Sequence, residues 1–219
     1  MKKNVIFYLF LINFSGLLYA QNLTINEYSK RLTNYFLNKN NNIIFDTIEL
    51  YKGNIPVDDP KEFDVNVMFF FYGVKKDNIN RYNYFYDVVH QSANKRLIAI
   101  FEDIEKYDLD LFFLDPAINP SLNDIYWTLY FSSGNVSYLD KIMKMIELYH
   151  ESNDIMLYLT AHSGIWSFKL NMQNYPTIFN YIKNLKNINI KNYILNTSIE
   201  DIAEDMVEFI RKQRDKGIW

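Results

Sequence analysis

Apolar residues recur along most of this chain at intervals of three and four, the spacing that gathers them on one face of an α-helix. The last segment is the cleanest case. Ser198 stands at a capping position, Ile199, Ile202, Met206, Phe209 and Ile210 share one face, and Gly217 is placed to end the helix. Its charges run from Glu200, Asp201, Glu204 and Asp205 to Arg211, Lys212 and Arg214. That order complements a helix dipole and requires no binding role. Near the other end, Thr24 and Glu27 have capping-box spacing ahead of Tyr28, Leu32, Tyr35 and Phe36. Ile43, Ile44, Ile48 and Tyr51 predict a short helix stopped by Gly53–Pro56. Asp77 or Asn78 caps a helix that turns Tyr82, Phe85, Val88 and Val89 inward. Ser92–Asn94 separates it from another, carrying Leu97, Ile98, Phe101 and Ile104. Ser121–Ser132 and Val136–Tyr149 flank Gly134-Asn135. In the second of these, Leu139, Ile142, Met143, Ile146 and Tyr149 face in while Asp140, Lys141, Lys144 and Glu147 face out. Pro176 opens a helix with Ile178, Tyr181, Ile182 and Leu185 on one face.

Three segments depart from this amphipathic pattern. Ile155–Phe168, which follows a cap at Asn153-Asp154, contains no Asp, Glu, Lys or Arg. A helix apolar all round is a buried helix, and this one is too short to cross a bilayer. In Phe63–Val74 the residues Val65, Val67, Phe69 and Phe71 alternate as in a strand. The Asp59-Pro60 start with Glu62 in the first turn favours a helix, and a strand stays open. Leu109–Asn119, with Leu111-Phe112-Phe113-Leu114 followed by Asp115-Pro116 and Asn119-Pro120, reads as an extended connector packed on the body. These elements predict an all-α fold of about nine or ten helices. The expected arrangement is antiparallel helical hairpins stacked in a compact, solenoid-like array around Ile155–Phe168 as a buried central helix. A junction between two halves would fall at residues 107–120.

Composition narrows the picture further. The chain of 219 residues is 49% hydrophobic, enough for one sizeable core. Only 6 Gly and 5 Pro argue against a turn-rich β fold, and 18 Tyr and 17 Phe spread along the chain argue against disorder. With no Cys there is no disulfide, thiolate nucleophile or Cys-ligated zinc. Met1–Ala20 has the layout of a secretory signal peptide. Lys2 and Lys3 precede the apolar run Val5–Ile12, Ser15-Gly16 breaks that run, and Ala20 stands at the cleavage position. Cleavage would leave a single all-α domain, 21–219, exported to the periplasm or beyond, with no further membrane span; an uncleaved anchor is the competing reading. Loss of two Lys and no acids takes the formal charge from −3 to −5. A mildly acidic chain is a poor partner for nucleic acid or an anionic membrane.

Two resemblances add to this. Trp127–Leu139, with Tyr130, Gly134-Asn135 and Tyr138, resembles the turn between the helices of a tetratricopeptide-type repeat, in which Gly takes the left-handed position. Asn123, Asp124, Trp127, Gly134, Asn135, Tyr138, Leu139, Trp166, Ser167, Asn171 and Gln173 together resemble a group of exported bacterial all-helical proteins. The likeness covers roughly residues 120–180 and implies a helical fold and export, with no activity to carry over.

Candidate chemistry is sparse. His162 lies on the uncharged helix, four residues before Trp166. It is either a buried neutral histidine bonded to a backbone or Tyr partner, or a catalytic or ligand-contacting group supported by a carboxylate that the sequence does not name. His90 and His150 end helices, where a dipole alone accounts for them. No three ligands have zinc spacing, so no metal is expected. Gly-x-Ser-x-Gly, the Walker loop and Gly-x-Gly-x-x-Gly are all absent, so no cofactor is expected. Gly164 is expected to permit a close helix crossing. The sequence therefore predicts an exported helical protein-interaction or structural module of the bacterial envelope, with a protein as its partner. The alternative is a secreted or periplasmic hydrolase using His162.

Overall fold

The structure is a computed structural model that describes residues 24–53 and 60–218. The signal layout at Met1–Ala20, the Asn54–Pro56 stop and the Asp59 cap lie outside the described residues. The described residues form eleven α-helices: α1 (Ile25–Asn38), α2 (Asn42–Lys52), α3 (Pro60–Asp77), α4 (Ile79–Gln91), α5 (Lys95–Lys106), α6 (Pro120–Ser133), α7 (Ser137–Tyr149), α8 (Ile155–Asn174), α9 (Pro176–Lys183), α10 (Ile188–Asn196) and α11 (Ile199–Asp215). One 3-10 turn, Leu111–Phe113, lies between α5 and α6. No strand occurs among the described residues, and the fold is all-α.

The capping residues act where the pattern places them. Thr24 Oγ1 accepts from the Glu27 amide while the Glu27 carboxylate accepts from the Thr24 amide, and Ser198 and Asp201 repeat the arrangement on α11. Asn78 and Asn94 accept from the amides of Arg81 and Leu97. Gly134 takes φ +76° and its amide donates to Tyr130 O at 2.6 Å, ending α6 in the left-handed conformation that a side chain disfavours.

The chain divides into two compact units. Among the described residues, the first takes those up to Asp115 together with Trp127–Val136; the second takes Pro116–Tyr126 and those from Ser137 onward. α3 is the centre of the first unit, packed on α4 and α5. It is a helix despite its alternating pattern because it is buried on more than one side. Val67, Phe70, Phe71 and Val74 form a helical stripe, with the Phe71 ring 4.8 Å from Phe101 and 5.8 Å from Phe85. Phe69 serves another side, against Phe112 and Phe113. A Cβ on Gly73 would fall on the Ser132 hydroxyl and 3.3 Å from Leu129 Cδ2, so this crossing of α3 and α6 needs a glycine.

In the second unit α8 is the centre, packed against α7, α9, α10 and α11. Leu159–His162, Gly164–Trp166 and Phe168 are buried, while Met156 in the first turn is exposed. A Cβ on Gly164 would stand 3.2 Å from Ile142 and Ile146, the close crossing expected there. α8 runs six residues past Phe168, to Asn174. Lys169 Nζ, in that extension, donates to Leu195 O at 2.7 Å at the end of α10, where a cation suits the helix dipole.

Two elements differ from expectation. α10 was not anticipated from the sequence. The stretch 184–196 holds five Asn, a weak helix former, but Asn187 spends its side chain on the cap, accepting from the Ile190 amide at 3.2 Å. Ile190 and Ile194, one turn apart, are buried. The connector Leu109–Asn119 is not simply extended: Asp108–Leu114 closes into turns around the 3-10 helix, and its apolar side chains are only partly packed.

Candidate functional site

His162 is buried, with 6% of its surface exposed, in the second unit. Nε2 lies 3.1 Å from the main-chain carbonyl of His150, just past α7. A carbonyl only accepts, so Nε2 carries the proton and Nδ1 is left with its lone pair. Nδ1 is buried with no partner. The ring stacks on Tyr158, centroids 3.9 Å apart at 19°, and Tyr158 stacks on Phe209 at 3.7 Å and 8°. Tyr193 approaches the His162 ring edge-on at 6.3 Å. The ring's surroundings are therefore aromatic.

Among the described residues no carboxylate hydrogen-bonds to the imidazole. Asp205 is the nearest acid in effect, but its Oδ2 accepts from the Tyr193 hydroxyl at 2.5 Å. Burial holds the His162 pKa below its usual value, with the His150 carbonyl and Asp205 opposing more weakly. Burial also pushes the Tyr158 phenol up to about 12. A base needs access to its proton donor and a neighbour to orient it. Here the protonated nitrogen is bound to the backbone and the basic one is enclosed by rings, so the arrangement builds structure.

The hydroxyl beside it is also occupied. Ser163 Oγ donates to Thr160 O at 3.0 Å and accepts from Asn123 Nδ2 at 2.8 Å. Asn123, buried on α6, donates to Thr160 O as well, at 2.7 Å. His90 and His150 each bond Nδ1 to the carbonyl four residues earlier, Tyr86 and Ile146. Among the described residues no three His, Cys, Asp or Glu gather as metal ligands, and no helix is long and apolar enough to cross a membrane.

The feature that sequence reasoning missed is a surface. In the first unit Leu111 and Leu114 are 61% and 79% exposed, next to exposed Tyr107 and Phe112. The turn that carries them is fixed from below. Phe112 and Phe113 pack on Phe69 with centroids 5.3 and 5.8 Å away. Asp110 accepts from the Tyr72 hydroxyl at 2.5 Å and pairs with Lys76 at 2.8 Å. Glu105 pairs with Lys75 at 2.8 Å. The signal for this surface was the apolar run at 111–114 itself, with acids on both sides; the run was read as packed because apolar residues usually are.

Comparison with protein-family models, with curated proteins and with solved structures finds no match to this chain.

Proposed function

We propose that this chain is an exported, non-enzymatic helical module of the bacterial envelope that binds another protein through the turn at residues 107–114. The observation that carries this reading is the exposure of Leu111 and Leu114 on a turn whose own geometry is fixed by Phe69, Tyr72 and Lys76. Large apolar side chains held in place before binding lose little freedom on docking, which is how interface anchors gain affinity. Glu102, Asp103, Asp108 and Asp115 flank the turn in the chain. The partner surface that fits is an apolar one bordered by basic side chains. The layout of Met1–Ala20 supports export. The enclosed ring of His162 supports a structural rather than a catalytic role for that residue.

The test is affinity capture from native envelope and culture fractions, with the protein and its Leu111→Ser, Leu114→Ser double variant compared side by side. The expected result is a protein retained by the first and lost from the second at physiological salt. Equal retention by both would remove the turn from the account. Turnover of a metabolite that disappears in His162→Ala, with no captured protein, would replace the module with an enzyme.

A further inference from the structure

The turn at 107–114 calls for a partner that is apolar and basic, and this chain carries such a surface elsewhere. Between Asp154 and Glu200 there is no Asp or Glu, and the stretch holds Lys169, Lys183, Lys186 and Lys191. Lys169 is engaged at the end of α10. The other three lie at the end of α9, in the turn that follows, and on α10. The same stretch of chain leaves two apolar side chains exposed, Phe179 at 38% and Ile188 at 62%. Lys183 Nζ stands 5.8 Å from the Phe179 ring centre. Ile188 and Lys191, three apart, share a face of α10. Carboxylates reach these two helices from elsewhere in the second unit: Asp140 of α7 accepts from Tyr181 at 2.8 Å, and Asp205 of α11 accepts from Tyr193 at 2.5 Å. One segment of the first unit shows the opposite composition. From Glu102 to Asp115 there are six acids and one Lys. Two of those acids, Glu105 and Asp110, are paired with Lys75 and Lys76; Glu102, Asp103, Asp108 and Asp115 flank Tyr107, Leu111 and Leu114 in the chain and are exposed.

We infer that the protein bound by the 107–114 turn is a second copy of this chain, docked through its Phe179–Lys191 surface. Each surface supplies what the other needs: exposed apolar side chains at the middle and opposite charges at the rim, the arrangement that gives an interface its register. An anionic bilayer would meet the three lysines but would repel the rest of an acidic chain. The two surfaces differ, so the contact is heterologous. Every added copy presents both surfaces again, so association continues until each turn has met a Phe179–Lys191 surface. This inference rests on the interaction reading above and names its partner.

The experiment is sedimentation velocity on the purified protein from about 10 µM to about 1 mM, a range suited to a weak interface of exposed anchors. The expected result is a mass that rises above that of the monomer with concentration and falls back as salt screens the rims. Two charge-reversed variants then isolate the contact: Asp103→Lys, Asp108→Lys, Asp115→Lys in one, and Lys183→Glu, Lys186→Glu, Lys191→Glu in the other. Each alone repels itself and should be monomeric, while an equimolar mixture restores association, because each surface of one then meets its opposite on the other. Most of these side chains lie in solvent, and far-UV circular dichroism with thermal melting checks that both variants fold. If either fails to fold, a photoreactive benzoylphenylalanine at position 114 of the purified protein should form an adduct that maps to residues 179–191. A monomer at every concentration, variants that associate like the parent, or a mixture that stays monomeric overturns the inference. If the purified protein is monomeric but position 114 still crosslinks to a different protein in native fractions, self-association falls and the interaction reading stands. If neither forms, both fall.

Discussion

His162 is the residue with the most chemical capacity in this chain, and its surroundings spend that capacity on structure. The ring is held by the His150 carbonyl on one nitrogen and covered by Tyr158 and Tyr193. Protonating the enclosed Nδ1 would put a cation between aromatic rings, with Asp205 already committed to Tyr193. The consequence is a pH dependence of stability. The folded pKa lies below the unfolded value, so the neutral form favours folding. That contribution is complete above about pH 6.5, the unfolded histidine value, and is lost as pH falls below it toward the folded pKa. Urea unfolding of the protein and of His162→Gln between about pH 8 and pH 5 should show a steeper loss for the parent. Parallel profiles would mean that the ring is not enclosed.

Two other residues make sharp predictions on stability. Trp127 is buried in the first unit, stacked on Phe131 at 5.5 Å and edge-on to Tyr130 at 6.0 Å. Trp127→Ala should cost about 3–5 kcal/mol in denaturant unfolding, and a loss under about 1 kcal/mol would place the ring outside the core. Gly73→Ala gains about 1 kcal/mol of helix propensity. Its methyl, however, falls on the Ser132 side chain, and the net effect should be destabilising by about 1–3 kcal/mol. A stabilised Gly73→Ala protein would show that α3 and α6 do not cross this closely.

At the scale of elements, what the chain reveals depends on how local the cause is. Capping residues act on their own first turn, and Thr24, Asn78, Asn94 and Ser198 could be read directly. The helix over Phe63–Val74 could be preferred over a strand because Asp59-Pro60 and Glu62 mark a start and the run is long for a strand; its alternation comes from Phe69 reaching Phe112 and Phe113, a distant contact that no local pattern encodes. α10 escaped notice because Asn is weighed as a helix breaker, whereas Asn187 acts as the cap that starts the helix. Asn187→Ala should therefore cost about 1 kcal/mol, the usual worth of such a cap, measured by thermal or urea unfolding. No loss would show that tertiary packing of Ile190 and Ile194 alone holds α10. Of the candidate site, the position and burial of His162 were legible, since an uncharged helix must be enclosed. Its partner was not: the His150 carbonyl belongs to the backbone, where side-chain identity carries no signal. The exposed turn at 111–114 was misread because hydrophobicity predicts burial without saying which apolar residues the fold leaves outside.

At the scale of the whole molecule, the chain builds two compact units, one centred on α3 and one on α8. Acids gather at the end of α5 and the turn after it, and lysines gather between α9 and α10. The proposed contact between copies uses these two concentrations as its opposite rims. The central claim is that Leu111 and Leu114 are protein anchors. Photocrosslinking from position 114 in native envelope fractions tests it most directly, with benzoylphenylalanine in place of Leu114 and, as a control, at Glu151, whose side chain is 89% exposed. The account predicts a discrete protein adduct from position 114 and none from position 151. The same adducts from both positions, or none from 114, would contradict it.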